Sequence, residues 1–207
     1  MKQFTLCMNR LFLFLFVFCF MLTPVTESKP AITVKHLTCE YKSNPIGIDV
    51  LKPRLSWKIE STARDVSQTA YQLRVAENIR DLKKNPVWDS GKVTSDNSVF
   101  CVYDGPELQT GLRYYWQVKI WDNKNKATSW SEPAFWEMGL LTPSDWKADW
   151  IQPQLKEDVK KSSPSPVLRK EFSLKAKVKS ARVYVTCLGL YEMELNGKRI
   201  GDEVLTP

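Results

Sequence analysis

The stretch that decides the fold is Leu108-Gln-Thr-Gly-Leu-Arg-Tyr114-Tyr-Trp116-Gln-Val118-Lys-Ile120. Large apolar side chains occupy every second position from Tyr114 onward, as in a strand that turns one face to a core. A leucine stands six residues before Tyr114. At this spacing the tyrosine hydroxyl can reach back to the backbone at the corner entering the strand, while its ring stays in the core. The stretch therefore predicts an inward-facing strand of a two-sheet sandwich.

Further runs of β-branched and aromatic residues flank this strand on both sides. The predicted strands are Ile32–Tyr41, Arg54–Glu60, Ala70–Ala76, Val87–Trp88, Ser98–Tyr103, Leu112–Asp122 and Ala134–Met138. Turn-forming residues separate them, and only Asn78–Lys84 has a weak helical pattern. Seven short strands in about 110 residues are typical of an immunoglobulin-like sandwich. With Trp57 as a large core residue on an early strand, residues 30–141 resemble a fibronectin type III domain.

All eight tryptophans lie between Trp57 and Trp150. Aromatic rings stack on sugars, so a carbohydrate-binding platform is one interpretation of this cluster. Trp57 and Trp116 fall at inward-facing positions and are predicted to lie in the core. A junction between domains is the predicted location of Trp130, Trp136, Trp146 and Trp150. We favour packing over sugar binding for these side chains.

The first 28 residues have the pattern of a secretory signal peptide. Lys2 and Arg10 precede an unbroken apolar run, LFLFLFVFCFML, at Leu11–Leu22. This run is shorter than the roughly 20 residues that a membrane-spanning helix needs, and it matches the apolar core of an export signal. We therefore expect a secreted protein, periplasmic or extracellular, that meets the membrane only transiently through this segment. A retained membrane anchor is the alternative.

After the first domain, residues 142–166 are predicted to form a junction and linker, because their last part, QPQLKEDVKKSSPSP, is rich in proline and lacks apolar periodicity. Strands are predicted again at Val167–Leu174, Ala181–Leu188, Tyr191–Leu195 and Lys198–Ile200. Asn196-Gly197 has the composition of a type I′ hairpin turn between the last two. A sheet of this size has no second layer to cover its apolar face. We therefore expect residues 167–207 to be the truncated start of a second, incomplete, jelly-roll-like β-sandwich domain.

No catalytic or metal-binding constellation is recognisable in the sequence. His36 is the only histidine and has no nucleophile paired with it, and Gly-x-Ser-x-Gly and glycine-rich phosphate motifs are missing. Glu192 and Glu194 alternate with apolar residues, so we interpret them as the solvent face of a strand. We therefore assign no catalytic residue, no metal ligand and no cofactor, and substrate-binding residues stay unknown.

The cysteine spacing and the charge distribution argue against a zinc protein, a disulfide-rich protein and a nucleic-acid-binding protein. Cys39, Cys101 and Cys187 lack the spacing of a zinc site or of a disulfide framework. One bridge between Cys39 and Cys101 is conceivable, but three buried thiols are favoured. The formal net charge is +7, yet the lysines are interleaved with acidic residues. This distribution predicts a solvated surface rather than a nucleic-acid-binding patch.

Taken in order, several segments resemble the N-terminal region of bacterial α-L-rhamnosidases of the inverting glycoside hydrolase type. These segments are Leu37–Asp49, Pro53–Trp57, Gln68–Ala76, Asp89–Val93, Tyr115–Asp122, Phe135–Leu141, Asp145–Ile151 and Ala181–Asp202. The resemblance implies a fibronectin-like module, then jelly-roll-like sandwich modules, then an (α/α)6 barrel that hydrolyses terminal α-L-rhamnosyl bonds. In inverting glycosidases two carboxyl groups roughly 6.5–9.5 Å apart perform the chemistry. The family carries them on the barrel, so no catalytic position is carried over to this chain.

The sequence therefore favours the non-catalytic N-terminal portion of a secreted α-L-rhamnosidase, truncated before the catalytic barrel and predicted to be inactive alone. The full-length form would hydrolyse terminal α-L-rhamnose in rhamnose-containing polysaccharides or glycosides. The alternative is a stand-alone exported carbohydrate-binding or adhesion module.

Overall fold

The computed structural model describes residues 32–154, 158, 160–162 and 164–201. The predicted signal peptide, residues 1–28, lies outside the described residues. The chain divides into two compact units between Ala148 and Asp149. Within the described part, no helix has the length and apolar character to cross a membrane.

The first unit is a sandwich of two antiparallel sheets. Its strands are β1 (Ile32–Cys39), β2 (Arg54–Ser61), β3 (Gln68–Ala76), β4 (Trp88–Asp89), β5 (Val93–Thr94), β6 (Cys101–Val102), β7 (Arg113–Asp122) and β8 (Ala134–Glu137). One sheet has the order β1-β2-β6, and the other has the order β4-β3-β7-β8, with β5 also paired to β3. The all-β, immunoglobulin-like fold class is confirmed. Each strand predicted in this region is present, and Val93–Thr94 is an additional one.

Alternating side chains of the two sheets meet in one core. On β7, Tyr114, Trp116, Val118 and Ile120 are each at most 2% exposed. Trp57 on β2 is buried in the same cluster. Full burial of one large apolar side chain contributes about 1.5–3 kcal/mol. The period-two pattern of the opening stretch therefore identifies the strand that anchors the core.

Tyr114 forms the tyrosine corner that its spacing predicts. The backbone N–H of Gln109 donates a hydrogen bond of 3.0 Å to the Tyr114 hydroxyl. Leu108, which precedes this corner, is buried in the same core as the tyrosine ring. The hydroxyl thus satisfies a backbone donor that the turn into β7 would otherwise leave without an acceptor.

We expect Tyr114→Phe to lower the free energy of unfolding by about 1–2 kcal/mol, because the Gln109 N–H loses its acceptor while the ring stays packed. Urea unfolding followed by tryptophan fluorescence measures the change. Tyr115→Phe is the matched control, since Tyr115 lies next in sequence on the outward face of the same strand, and it should change stability by less than about 0.5 kcal/mol. Equal losses in the two variants would contradict a role for the corner.

The segment Asn78–Lys84 forms turns, so the weak helical prediction is wrong. The Asp81 N–H donates to the carbonyl of Asn78, and the Asp81 carbonyl accepts from Asn85 at 2.9 Å. Pro86 follows directly and disfavours helical backbone in the residue before it. A single turn cannot repay the cost of helix nucleation, so the segment stops at hydrogen-bonded turns.

The second unit contains the predicted hairpin. Strands β9 (Glu194–Leu195) and β10 (Lys198–Arg199) pair antiparallel. Between them Asn196 has a φ of 53° and Gly197 a φ of 73°. Positive φ at both central residues is what a type I′ turn requires. The turn prediction is confirmed.

The strands predicted at Val167–Leu174 and Ala181–Leu188 are wrong in this structure, because neither described segment takes part in a paired strand. Val167 is 91% exposed and Leu188 is 93% exposed. Alternation shows that a segment can form a strand, but a strand exists only where a neighbour accepts its backbone hydrogen bonds. The division at residue 148 falls inside the predicted junction at 142–166. The finer bounds, 30–141 and 167–207, stay a prediction.

Candidate functional site

The residue types that bind metals do not cluster in the part of the chain that the structure describes. No group of three or more His, Cys, Asp or Glu in it is placed to hold a metal ion. His36 Nε2 lies 3.6 Å from Glu60 Oε1, and both side chains are exposed. Exposed pairs of this kind contribute little to stability. Glu192 and Glu194 are exposed as well, which agrees with a solvent face.

The sheet order separates the two cysteines of the first unit. Leu55 on β2 is in register with Cys39 on one side and with Cys101 on the other. Adjacent strands lie about 4.8 Å apart, so the two cysteines are about 9–10 Å apart. A disulfide needs Cα atoms about 4.4–6.8 Å apart. The Cys39–Cys101 bridge is therefore excluded, and both thiols are free and buried, whereas Cys187 is free and half-buried.

Full or partial burial of a thiol and of two tyrosine hydroxyl groups predicts that the first unit loses stability in alkali. Burial raises the pKa of Cys39 from 9.0 to about 12. It raises the pKa of Tyr71 and of Tyr103 from 10.0 to about 12. The neutral forms are thus favoured by folding. Their contribution to stability is full below about pH 9 and is lost as the pH rises toward 12.

We expect the free energy of unfolding to fall steadily from pH 9 to pH 11, because the unfolded chain loses these protons first. Urea unfolding at each pH measures it. Tyr71→Phe removes one of the groups and should reduce the slope. A stability that stays flat over this range, or a slope that Tyr71→Phe leaves unchanged, would contradict the assignment.

Three tryptophans belong to the core. Trp57, Trp116 and Trp136 are each at most 2% exposed. The prediction that Trp136 packs a junction between domains is wrong. It is in register with Tyr114 across β7 and β8, and the two rings stack with centroids 5.6 Å apart. This register turns Trp136 inward and leaves it no surface for a ligand.

Cations cover two other tryptophans on the outer face of the β3–β7 sheet. The Arg74 guanidinium lies 4.3 Å from the ring centroid of Trp130. The Lys119 ammonium lies 4.7 Å from Trp130 and 4.8 Å from Trp121. Lys92 contacts Trp121 at 4.7 Å. Each exposed cation–π contact contributes about 0.5–1 kcal/mol, so this row stabilises the sheet face.

Two other aromatic rings of the first unit contact each other and are exposed to solvent. Tyr41, which follows β1, is 65% exposed, and Phe100, which precedes β6, is 43% exposed. Their ring centroids are 5.0 Å apart, at an interplanar angle of 65°. The Arg54 guanidinium lies 5.1 Å from one ring and 5.5 Å from the other. We call Tyr41, Phe100, Arg54 and Glu40 the aromatic platform.

Unusual backbone conformations hold the platform. Glu40, Tyr41 and Phe100 have φ values of 46°, 68° and 56°. Left-handed backbone costs an ordinary L-residue about 1–2 kcal/mol. Two reciprocal 3.0 Å hydrogen bonds between Cys39 and Lys42 close the turn that carries Tyr41. The Phe100 N–H donates to the Ser56 hydroxyl at 3.0 Å.

Charged groups flank the rings in balanced pairs. Arg54 Nη2 donates to Glu40 Oε2 at 2.6 Å, and Arg54 Nε lies 3.2 Å from both carboxylate oxygens. These hydrogen bonds lower the pKa of Glu40. Lys52 Nζ donates to Asp104 Oδ1 at 2.7 Å nearby. On the neighbouring strand β6, Val102 is in register with Arg54 and is exposed.

The platform is a site that sequence patterns miss. Both aromatic residues fall inside runs that read as strand, Ile32–Tyr41 and Ser98–Tyr103, and alternation does not reveal which rings reach solvent. The polar run Lys42-Ser43-Asn44 after Tyr41 is the one local signal of a turn at this point.

Two family models match the chain. Residues 34–142 match the Rha78A-like, N-terminal immunoglobulin domain. Residues 176–207 match the α-L-rhamnosidase N-terminal domain. An α-L-rhamnosidase of Formosa agariphila is 36% identical and aligns with 94% of this chain and 23% of its own length. One from Streptomyces avermitilis is 46% identical and aligns with 58% of this chain and 12% of its own length.

Solved structures also relate the chain to α-L-rhamnosidases. The α-L-rhamnosidase structure from Dictyoglumus thermophilum has a TM-score of 0.72 at 34% identity, over 84% of this chain and 21% of that one. The Streptomyces avermitilis enzyme, solved in complex with L-rhamnose, has a TM-score of 0.58 at 46% identity, over 59% of this chain and 12% of that one. The chain spans less than a quarter of the length of the relatives it matches. It belongs to the family of the Rha78A-like N-terminal immunoglobulin domain and corresponds to the N-terminal region of α-L-rhamnosidases.

Proposed function

We propose that this region is the non-catalytic front of a secreted enzyme that hydrolyses terminal α-L-rhamnose from glycans or glycosides. The observation that carries the proposal is the order of two N-terminal rhamnosidase domains along the chain, at residues 34–142 and 176–207. The relatives that share this region are α-L-rhamnosidases, and one of them was solved with L-rhamnose bound.

The first unit supports a scaffolding role. Its aromatic core and tyrosine corner provide a rigid body. In inverting glycosidases two carboxyl groups must face each other across the scissile bond. The chain aligns with less than a quarter of the length of these relatives, and we place the reacting carboxyl groups in other parts of the parent enzyme.

The second unit supports a role in a larger assembly. Its large apolar side chains include Leu188 and Leu190, which are 93% and 64% exposed. Each Å² of apolar surface removed from water contributes about 25 cal/mol. We infer that this unit completes its sheet against further residues of the parent enzyme.

Hydrolysis of an aryl α-L-rhamnoside tests the proposal. The chain alone should release no phenol above a blank preparation, whereas the parent enzyme that carries this region should turn the substrate over. Turnover by the chain alone would overturn its non-catalytic role. A parent that cleaves other aryl glycosides but no rhamnoside would overturn the substrate class.

Export is part of the same proposal and has its own test. Residues 1–28 should export a phosphatase reporter that is active only outside the cytoplasm. The matched control carries Leu15→Arg and Phe16→Arg, which interrupt the apolar run at its centre. A reporter that stays inactive with the natural segment would overturn secretion.

A second candidate function, a stand-alone carbohydrate-binding module, is favoured by the exposed aromatic platform. In this case the chain by itself should be folded, monomeric and retained on a polysaccharide column. Passage through the column without retention would contradict this second function and would leave the rhamnosidase proposal as the remaining one.

A further inference from the structure

We propose that the aromatic platform binds a neutral 6-deoxyhexopyranoside, with a terminal α-L-rhamnosyl unit as its ligand. The choice of sugar rests on the proposed function, whereas the existence of a sugar-sized contact site rests on the geometry of Tyr41, Phe100, Arg54 and Glu40.

The two rings present an apolar corner to solvent. Tyr41 and Phe100 meet edge to face, with centroids 5.0 Å apart. A pyranose ring has C–H bonds on its faces, and these pack against aromatic surface. Arg54 contacts both rings at 5.1 and 5.5 Å and so restrains them before a ligand arrives. Restraint of this kind reduces the ordering cost of binding.

The backbone at the platform supports a functional reading. Tyr41 and Phe100 both occupy left-handed φ, at 68° and 56°. The turn closed by Cys39 and Lys42 requires positive φ at its two central residues and so accounts for Tyr41. Phe100 lies outside that turn, and its exposed ring gives no packing reason for its φ. Bulky residues in strained conformations are concentrated at binding and catalytic sites. The turn brings Tyr41, which alternation from the buried Cys39 would direct inward, to the surface beside Phe100.

The surrounding charges favour an uncharged, hydroxylated ligand. Arg54 pairs with Glu40, and Lys52 pairs with Asp104. Within these two pairs the formal charges cancel. The cations supply donors and the carboxylates supply acceptors, and a sugar hydroxyl group can use both.

An exposed apolar side chain defines the class of sugar. Val102 lies opposite Arg54 on the neighbouring strand, two residues after Phe100, and is 51% exposed. A 6-deoxy sugar carries a methyl group where other hexoses carry a hydroxymethyl group. The methyl group can cover Val102 without losing a hydrogen bond to water, whereas a hydroxyl placed there would lose one.

Titration of the ¹⁵N-labelled chain with methyl α-L-rhamnopyranoside tests the site. We expect saturable shifts of the Tyr41 and Phe100 amide signals and of Arg54 Nε–H. Methyl α-L-mannopyranoside, which differs by the 6-hydroxyl group, should bind about fourfold more weakly. Sodium glucuronate should cause no saturable shift. No saturable shift with the rhamnoside, equal binding of the mannoside, or tighter binding of the glucuronate would overturn the proposal.

Glycine variants separate loss of the rings from loss of the fold. Tyr41→Gly and Phe100→Gly remove each ring and at the same time admit positive φ freely. We expect each variant to bind the rhamnoside at least about tenfold more weakly. This factor corresponds to the loss of one aromatic contact that contributes about 1.4 kcal/mol. The midpoint of thermal unfolding should stay the same or rise.

Trp150→Ala is the matched control, since Trp150 is an exposed aromatic residue outside the platform. Its affinity should equal that of the natural chain. Wild-type affinity in both glycine variants, or the same loss in Trp150→Ala, would overturn the assignment. The aryl rhamnoside assay on the parent enzyme is independent of this result, so activity without binding here overturns the platform alone.

Discussion

Trp136→Ala is expected to lower the free energy of unfolding of the first unit by about 3–5 kcal/mol. The side chain is 0% exposed, and its ring contacts Tyr114 at 5.6 Å and Tyr103 at 5.9 Å between centroids. Truncation removes the ring from the centre of this aromatic cluster. Tyr114 lies on β7 and Tyr103 directly follows β6, so both sheets hold the neighbours in place and the cavity cannot collapse.

Urea unfolding of the natural chain, Trp136→Ala and Trp136→Phe measures this effect. The indole Nε1 of Trp136 makes no hydrogen bond to the residues that the structure describes. The Trp136→Phe variant therefore loses ring area without leaving a polar partner unpaired. Its free energy of unfolding should fall by less than half of the decrease that Trp136→Ala causes. A loss below about 1 kcal/mol for alanine would show that the core repacks and would contradict the rigid-cluster account.

Gln68→Leu is expected to lower the free energy of unfolding by about 2–3 kcal/mol, because it leaves the buried indole N–H of Trp57 without an acceptor and removes two hydrogen bonds to partly exposed backbone carbonyls. Gln68 Oε1 accepts from Trp57 Nε1 at 3.0 Å. Gln68 Nε2 donates to the carbonyls of Ser95 and Asn97 at 3.1 and 2.8 Å. One amide thus joins the start of β3, a core tryptophan and the loop after β5.

A double-mutant cycle tests this network. Trp57→Phe removes the indole donor, so the loss caused by Gln68→Leu should be smaller in the Trp57→Phe background. Gln109→Leu serves as the matched control, because the Gln109 side chain is exposed and should change stability by less than about 0.5 kcal/mol. Strict additivity of Gln68→Leu and Trp57→Phe would contradict a direct coupling.

The tryptophans show which burial predictions a sequence pattern supports and which it does not. Trp57 and Trp116 were identifiable as core because each falls on the inward phase of a long strand. Trp136 lies on a four-residue strand, Ala134–Glu137, where the period-two signal is too short to distinguish the two faces. Its burial follows from its register with Tyr114 on β7.

The cysteines show that the distance between two residues also depends on strand order. Cys39 and Cys101 look equally suited to a bridge in sequence, since both sit in apolar runs at strand ends. Their separation depends on β2 lying between β1 and β6. No local property of either segment encodes this strand order.

By itself the sequence determined the all-β class, the strand that anchors the core, the tyrosine corner and the Asn196-Gly197 turn. Each of these depends on bonds and φ angles within a few residues of one another, so residue type and spacing suffice. The tertiary structure alone decided that Trp136 is core, that Cys39 and Cys101 stay apart, and that Tyr41 and Phe100 meet at the surface beside Arg54. These features depend on strand order and register. Both are set by how the two sheets bury their apolar faces together, which no single segment records.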